Sequence, residues 1–169
     1  MTTAVPYWAL ALTFWIHMLA TATWIGSLVS MAVLVMPAAR RTLSASDQLS
    51  LIEVMQRRLE PITWFSVSVL IATGLFQMSV NPHYNGFLST SGQWALAMLT
   101  KHTLVGALIA VSAVHTWDVL PSLRRALMRK DKLADPQVER LQRRELALLR
   151  ASLALGALVL LATSFARAS

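Results

Sequence analysis

Histidines and a lysine inside apolar segments are the residues of this chain whose chemistry calls for an explanation. His17 interrupts the uncharged run TFWIHMLATATWIGSLVSMAVLVMPAAR, and Lys101, His102 and His115 fall within a later apolar segment. An ionisable side chain costs free energy inside a bilayer, so each of these residues is a functional candidate. His83 lies in the turn-forming cluster NPHYNG, and we expect it to be solvated.

Tryptophans favour membrane interfaces and therefore allow a depth estimate for two of the histidines. His17 follows Trp8 by nine residues, and His102 follows Trp94 by eight. At a rise of ~1.5 Å per residue, these spacings predict depths of ~13 Å and ~12 Å, at one level in the outer half of the bilayer. His115 would lie ~20 Å deeper than His102, where no second histidine is expected.

Two imidazoles at one level on different helices are what a b-type haem requires, because its iron takes axial ligands from opposite faces. We therefore expect haem b between His17 and His102. Gly106, one turn beyond His102, would let a flat macrocycle approach the backbone, and Trp24 continues the face of His17. Lys101 could pair with a propionate.

Hydrogen bonding offers a simpler role for each histidine, because the second predicted helix supplies polar partners: Ser66, Ser68, Thr73 and Gln77. His115 fits an interfacial polar cluster with Asp118 and is a secondary candidate for metal binding. At ~100° per residue, Lys101 shares nearly one helical face with His115, whereas His102 points ~140° away from His115. One central site therefore cannot take both histidines of this helix.

Methionine supplies a competing chemistry, because thioether and imidazole ligands suit Cu(I). Copper binding through His17 and membrane methionines is therefore an alternative, although methionine in an apolar helix usually serves packing. The candidates are spread without a tight cluster: Met18, Met31, Met36, Met78 and Met98. The chain has no cysteine, which excludes thiolate and iron–sulfur sites, and no pattern of a soluble hydrolase, so we assign no catalytic residue.

The elements that must position these residues are transmembrane helices, because the composition is 56% hydrophobic and only 14% charged. Residues 4–39 and 61–100 contain no Asp, Glu, Lys or Arg. We predict an all-α integral membrane four-helix bundle that forms a single domain over residues 1–169. The predicted helices cover about 7–39, 61–80, 93–120 and 136–166, with a short interfacial helix at about 46–59 that Ser46 or Asp47 caps; Asp135 would cap the fourth helix.

The net charge of +7 is explained by its distribution rather than by a nucleic-acid partner. Four Lys or Arg residues fall in the first connection, none in residues 81–92, and nine in residues 124–150. The positive-inside rule then predicts basic cytoplasmic connections and both termini outside, in a multi-pass protein of the inner (plasma) membrane. The apolar first segment is too long for a cleaved signal peptide, so we expect it to be retained.

Short motifs resemble the copper-resistance protein D family: His17, Trp24-Ile-Gly26, Met36-Pro37 with Arg40, Arg58 before Pro61 and Trp64, and Thr73-Gly74. Lys101 with a histidine fourteen residues on also resembles the HemJ-type haem-biosynthesis proteins. The first resemblance implies copper handling, and the second implies b-haem and protoporphyrinogen oxidation. His17 carries over from both, whereas Lys101 and His115 carry over from the second.

Our leading hypothesis from the sequence is a b-type haem protein that serves electron transfer or a membrane redox complex. Its partners would be the lipid bilayer, other membrane subunits and a redox partner at the outer surface. The alternatives are a copper-binding or copper-transport protein of the copper-resistance D type, a cofactor-free accessory subunit, and a HemJ-like protoporphyrinogen oxidase. Whether the chain is an enzyme is left open, with a non-enzymatic role favoured.

Overall fold

The computed structural model describes residues 5–82, 86, 92–128 and 136–168, and within these ranges the chain forms helices and no strand. His83, Tyr84 and Asp135, which the sequence places in turns or at a cap, lie outside the described residues. The elements in chain order are α1 (Tyr7–Val29), π1 (Ser30–Val35), α2 (Met36–Thr42), α3 (Ala45–Ser79), α4 (Gln93–Val114), π2 (His115–Val119), α5 (Leu120–Met128) and α6 (Pro136–Ala168).

Four of the resulting continuous helical segments are long and apolar enough to cross a membrane: Tyr7–Thr42, Ser46–Ser79, Gln93–Ala126 and Pro136–Phe165. The prediction of an all-α membrane protein with four spanning helices is confirmed. Large apolar side chains such as Phe65 and Trp15 point outward, as expected where lipid rather than water surrounds the bundle. We call these segments the first to fourth spans.

The second span differs from the sequence prediction, because a single helix replaces a surface helix followed by a membrane helix. Its N-cap is Ser44, whose Oγ accepts a hydrogen bond from the backbone N–H of Asp47. Pro61 lies inside the helix, where it removes one backbone hydrogen bond without ending the helix. Ile52 is buried, so the beginning of this helix is part of the bundle core.

The spans pack in two main pairs, α1 with α3 and α4 with α6. One apolar cluster joins Trp24, Val67 and Leu108 from the first three spans. A second cluster joins all four spans near the end of the bundle that carries most of the arginines, which we call the basic end; it contains Ala32, Met36, Ile52, Leu120, Leu123, Val138 and Leu149.

Ion pairs connect the spans at the basic end. Arg124 on α5 bonds Glu53 on α3 at 3.0 Å, and Arg144 on α6 bonds Asp118 in π2 at 3.0 Å. Trp64 and Trp117 stack beside them with ring centroids 5.0 Å apart.

Two π-helical turns interrupt the first and third spans. The N–H of Met36 bonds the carbonyl of Met31, and the N–H of Leu120 bonds the carbonyl of His115. Each bond joins residues five apart, whereas α-helical geometry would turn such residues ~140° away from each other. The π turns therefore bring Met31 into line with Met36, and His115 into line with Leu120.

Candidate functional site

A cavity of about 80 Å³ lies within the bundle toward its basic end, and every span contributes to its wall. This volume exceeds the ~15 Å³ that one water requires, so the cavity has room for an ion together with side-chain movement. Its lining comes from all four spans: Ser27, Leu28, Met31, Met36, Ile52, Met55, Leu59, Glu60, Thr63, Ser112, His115, Thr116, Leu120, Leu149 and Ser152.

Three thioethers and one imidazole line this cavity. Met31 and Met36 come from the first span, Met55 from the second and His115 from the third. The π turns explain the arrangement, because Met31 lies in π1, Met36 follows it, and His115 opens π2. Soft thioethers with an imidazole form a ligand set that suits Cu(I).

The imidazole of His115 has unused bonding capacity. Its Nε2 is buried and has no hydrogen-bond partner, and the hydroxyl of Ser112, one turn earlier, is buried without a partner as well. Buried polar atoms are nearly always satisfied, so an orphaned imidazole nitrogen in a cavity wall is consistent with a ligand position.

Glu60 gives the cavity a carboxylate at its wall. Glu53, Glu139 and Glu145 each form an ion pair with an arginine, whereas Glu60 forms none with the residues that the structure describes. Its negative charge would offset the charge of a cation held by neutral thioethers and imidazole, in a region of low dielectric where such attraction is strong.

A classical site of nitrogen and oxygen ligands is not formed in the described part of the chain. No three His, Cys, Asp or Glu side chains are grouped there closely enough to hold a metal ion. Metal binding at the cavity would therefore depend on the thioethers.

His17 lies away from this cavity, on the face of α1 that packs against α3. Its Nδ1 is 2.7 Å from Oγ1 of Thr73, and that hydroxyl donates to the carbonyl of Val69 at 2.6 Å. Because the hydroxyl has one hydrogen, Nδ1 carries the proton and donates to Thr73. The alternative prediction that His17 bonds a hydroxyl of the second helix is confirmed for Thr73. A Cβ at Gly74 would lie 3.5 Å from Cε1 of His17, so the ring sits close to the backbone there.

His102 is engaged on its own helix, where its Nδ1 donates to the carbonyl of Met98 at 2.6 Å. Its helix packs mainly on α6, whereas the helix of His17 packs mainly on α3. The hydrogen bond of His17 with Thr73 and that of His102 with Met98 therefore involve different helices, and the His17–His102 pair stays a prediction.

The other residues predicted beside the haem have varied surroundings. Trp24 is buried against Val67 and Leu108, in the middle of the bundle. A Cβ at Gly106 would meet no atom within 4 Å, so Gly106 faces open space. Lys101 is half-buried on α4. Their role near a cofactor stays a prediction as well.

Comparison with known proteins decides the family. Residues 52–166 match the family model described as Copper resistance protein D. The chain belongs to this family. The match runs from Ile52 of this chain through its fourth span, and so includes Met55, Glu60 and His115. No curated protein and no solved structure matches.

The family confirms the resemblance to copper-resistance protein D that the sequence motifs indicate, and it makes this chain a copper-resistance-related membrane protein. The haem-related resemblance gains no support. Sequence reasoning treated the methionines as scattered and His115 as secondary, and it did not consider Met55 a candidate. The missing signal was the pair of π turns, because α-helical periodicity places Met31 and Met36 on different faces.

Proposed function

We propose that this protein binds copper as Cu(I) within the membrane, in the cavity between its four spans. The observation that carries the proposal is the convergence of Met31, Met36, Met55 and His115 on one cavity. Membership of the copper-resistance D family indicates copper as the metal, and the soft ligand types favour the Cu(I) oxidation state.

Each group has a distinct task in this proposal. Nε2 of His115 donates its lone pair to the ion and so gains the partner that it lacks. The thioethers of Met31, Met36 and Met55 complete a soft and adaptable ligand set, because methionine has three rotatable bonds and a polarisable sulfur. The carboxylate of Glu60 provides the counter-charge.

The ligand set also favours copper over harder cations. Mg²⁺ and Ca²⁺ require several oxygen ligands, and Zn²⁺ is usually bound by cysteine, histidine or carboxylate. Among the cavity residues, Glu60 and His115 are the ones that such cations would prefer, whereas three of the four proposed copper ligands are thioethers. A b-type haem between His17 and His102 stays a prediction that no contact described above favours.

Competition titration tests the proposal. Purified protein in detergent is titrated with Cu(I) against a chromophoric chelator of known affinity, and we expect one high-affinity ion per chain. Replacing both Met31 and Met55 by Leu conserves volume, so the fold is retained while two sulfurs are lost. We expect the affinity of this double variant to fall at least about tenfold, because losing even a residue that only supports a metal ligand typically costs about 10- to 100-fold.

Two methionines outside the cavity provide matched controls. Met18→Leu alters an exposed residue and Met78→Leu a buried one, and neither residue lines the cavity. Both controls should bind Cu(I) like the wild type. Wild-type protein that binds no Cu(I), or equal affinity in the double variant and the controls, would overturn the proposal.

A further inference from the structure

Arg150 lies on the outer side of the fourth span, within the apolar part of α6. It is the single charged residue of the segment 146–166. The residue is exposed, and it forms no ion pair or hydrogen bond with the residues that the structure describes. Arginines in membrane helices usually face the bundle interior, because a guanidinium in contact with hydrocarbon costs free energy. The outward position of Arg150 therefore calls for an anionic partner from outside the chain.

The depth of Arg150 follows from an ion pair earlier on the same helix. Arg144 bonds Asp118 at 3.0 Å, next to Trp117, and tryptophan favours the membrane interface. Arg150 is six residues further along α6 and so lies ~9 Å deeper. Side chains lean toward the N-terminus of their helix, and α6 begins at the basic end. The long side chain of Arg150 is therefore directed back toward the level of the lipid phosphates.

An exposed face extends from Arg150 in both directions along α6. Arg143 is 80% exposed and lies on nearly the same face, because seven residues are only ~20° short of two full turns. Toward the membrane centre the face continues through the exposed side chains of Ala154, Leu158 and Leu161. Leu161 is ~16 Å from Arg150 along the helix axis, close to half of the ~30 Å hydrocarbon core. The face thus joins positive charge to an apolar strip as long as one leaflet.

The balance of charge on this side of α6 favours a negatively charged headgroup. Arg143 and Arg144 are each paired with an acid. Arg140 and Arg150, which are also exposed, have no acidic partner in the described part of the chain. Two positive charges are therefore left uncompensated, and arginines near the membrane surface attract anionic lipids.

We propose that this face of α6 is a binding site for one anionic phospholipid. The guanidinium of Arg150 donates hydrogen bonds to the phosphodiester oxygens, Arg143 adds positive charge beside the headgroup, and an acyl chain lies along the strip from Ala154 to Leu161. Leu149 and Ser152 line the proposed copper cavity from other faces of the same helix. Lipid and copper would thus occupy different sides of α6, and the inference does not depend on the proposed function.

Native mass spectrometry of the full-length protein in detergent tests the inference. Delipidated protein is incubated with equal amounts of phosphatidylglycerol and phosphatidylcholine that have identical acyl chains. Both lipids carry a phosphate, but only phosphatidylglycerol has a net negative charge. We expect one phosphatidylglycerol to bind per chain in preference to phosphatidylcholine. Arg150→Gln should lower its affinity about fivefold, which corresponds to the ~1 kcal/mol that one arginine near the membrane surface contributes.

Arg58→Gln is the matched control. Arg58 is also exposed and has no acidic partner among the described residues, but it lies on the second span. This variant should keep the lipid preference of the wild type. Arg150→Lys retains the positive charge and a long side chain, so it should keep most of the preference. Circular dichroism checks that each variant is folded.

A soluble competitor separates a lipid site from a phosphate site. An excess of glycerophosphate, which has the headgroup chemistry without acyl chains, should not displace the bound lipid; displacement would refute a role for the apolar strip. Equal binding of the two lipids by the wild type, or an equal loss in Arg58→Gln and Arg150→Gln, would show general attraction to the basic end instead of a site. A protein that copurifies with the wild type and is lost with Arg150→Gln, without a change in lipid binding, would assign Arg150 to a protein partner and overturn the proposal.

Discussion

Replacing His115 by Leu should make the metal-free protein more stable and should weaken its response to copper. Nε2 of His115 is buried without a partner, and an unsatisfied buried polar group costs ~1–3 kcal/mol. Leucine is of similar size and has no polar atom to satisfy. We therefore expect the free energy of unfolding of the metal-free variant to rise by ~1–3 kcal/mol.

Copper should offset part of the advantage of the variant. With free Cu(I) at a hundred times its dissociation constant, a ligand that binds the native state adds ~2.7 kcal/mol to stability. If His115→Leu weakens binding about tenfold, the same copper concentration adds ~1.4 kcal/mol. The wild type should thus gain roughly twice as much stability from copper as the variant.

Unfolding in detergent, followed by circular dichroism with and without buffered Cu(I), measures both effects. His102→Leu is the control, because His102 is hydrogen-bonded to Met98 and does not line the cavity. It should gain as much stability from copper as the wild type. A His115→Leu variant that is less stable without metal and keeps the full gain from copper would show that His115 serves packing alone.

Three further outcomes follow from the contacts of the bundle. Thr73→Val should lower the free energy of unfolding by ~1–3 kcal/mol, because His17 loses its acceptor, without changing the Cu(I) titration. Gly74→Ala should raise stability by up to ~1 kcal/mol in thermal unfolding, because the new Cβ makes an ordinary contact at 3.5 Å and the helix gains propensity; a loss would mean that the ring needs the glycine. Arg40→Leu should cost ~3–5 kcal/mol, since it leaves a buried carboxylate uncompensated, whereas Arg143→Leu, 80% exposed, should cost less than ~1 kcal/mol; equal costs would contradict the burial.

The number and class of the helices could be predicted from the sequence, because long uncharged segments and the NPHYNG turn are direct consequences of bilayer physics. The continuity of α3 through Pro61 could not be predicted, since proline ends some helices and only bends others. That choice depends on packing of the preceding turns, where Ile52 is buried in the core.

Thr73 is one of the hydrogen-bond partners that the sequence offers to His17. It could be predicted because apolar helices contain few other polar groups that could pair with an imidazole. The cavity could not be predicted from the sequence, because the prediction assumed uniform α-helical geometry. Met31 and Met36 are five residues apart, a spacing that shares a face in a π turn and not in an α-helix. No simple residue pattern marks where a helix changes to π geometry.

X-ray absorption at the copper K edge, on wild-type protein loaded with one equivalent of Cu(I), tests the central claim most directly. The cavity predicts a Cu(I) edge with a first shell of sulfur and one imidazole nitrogen, and the sulfur contribution should fall when Met31 and Met55 are replaced by Leu. A first shell of nitrogen and oxygen alone, or a sulfur shell that survives those replacements, would contradict a thioether site between the spans.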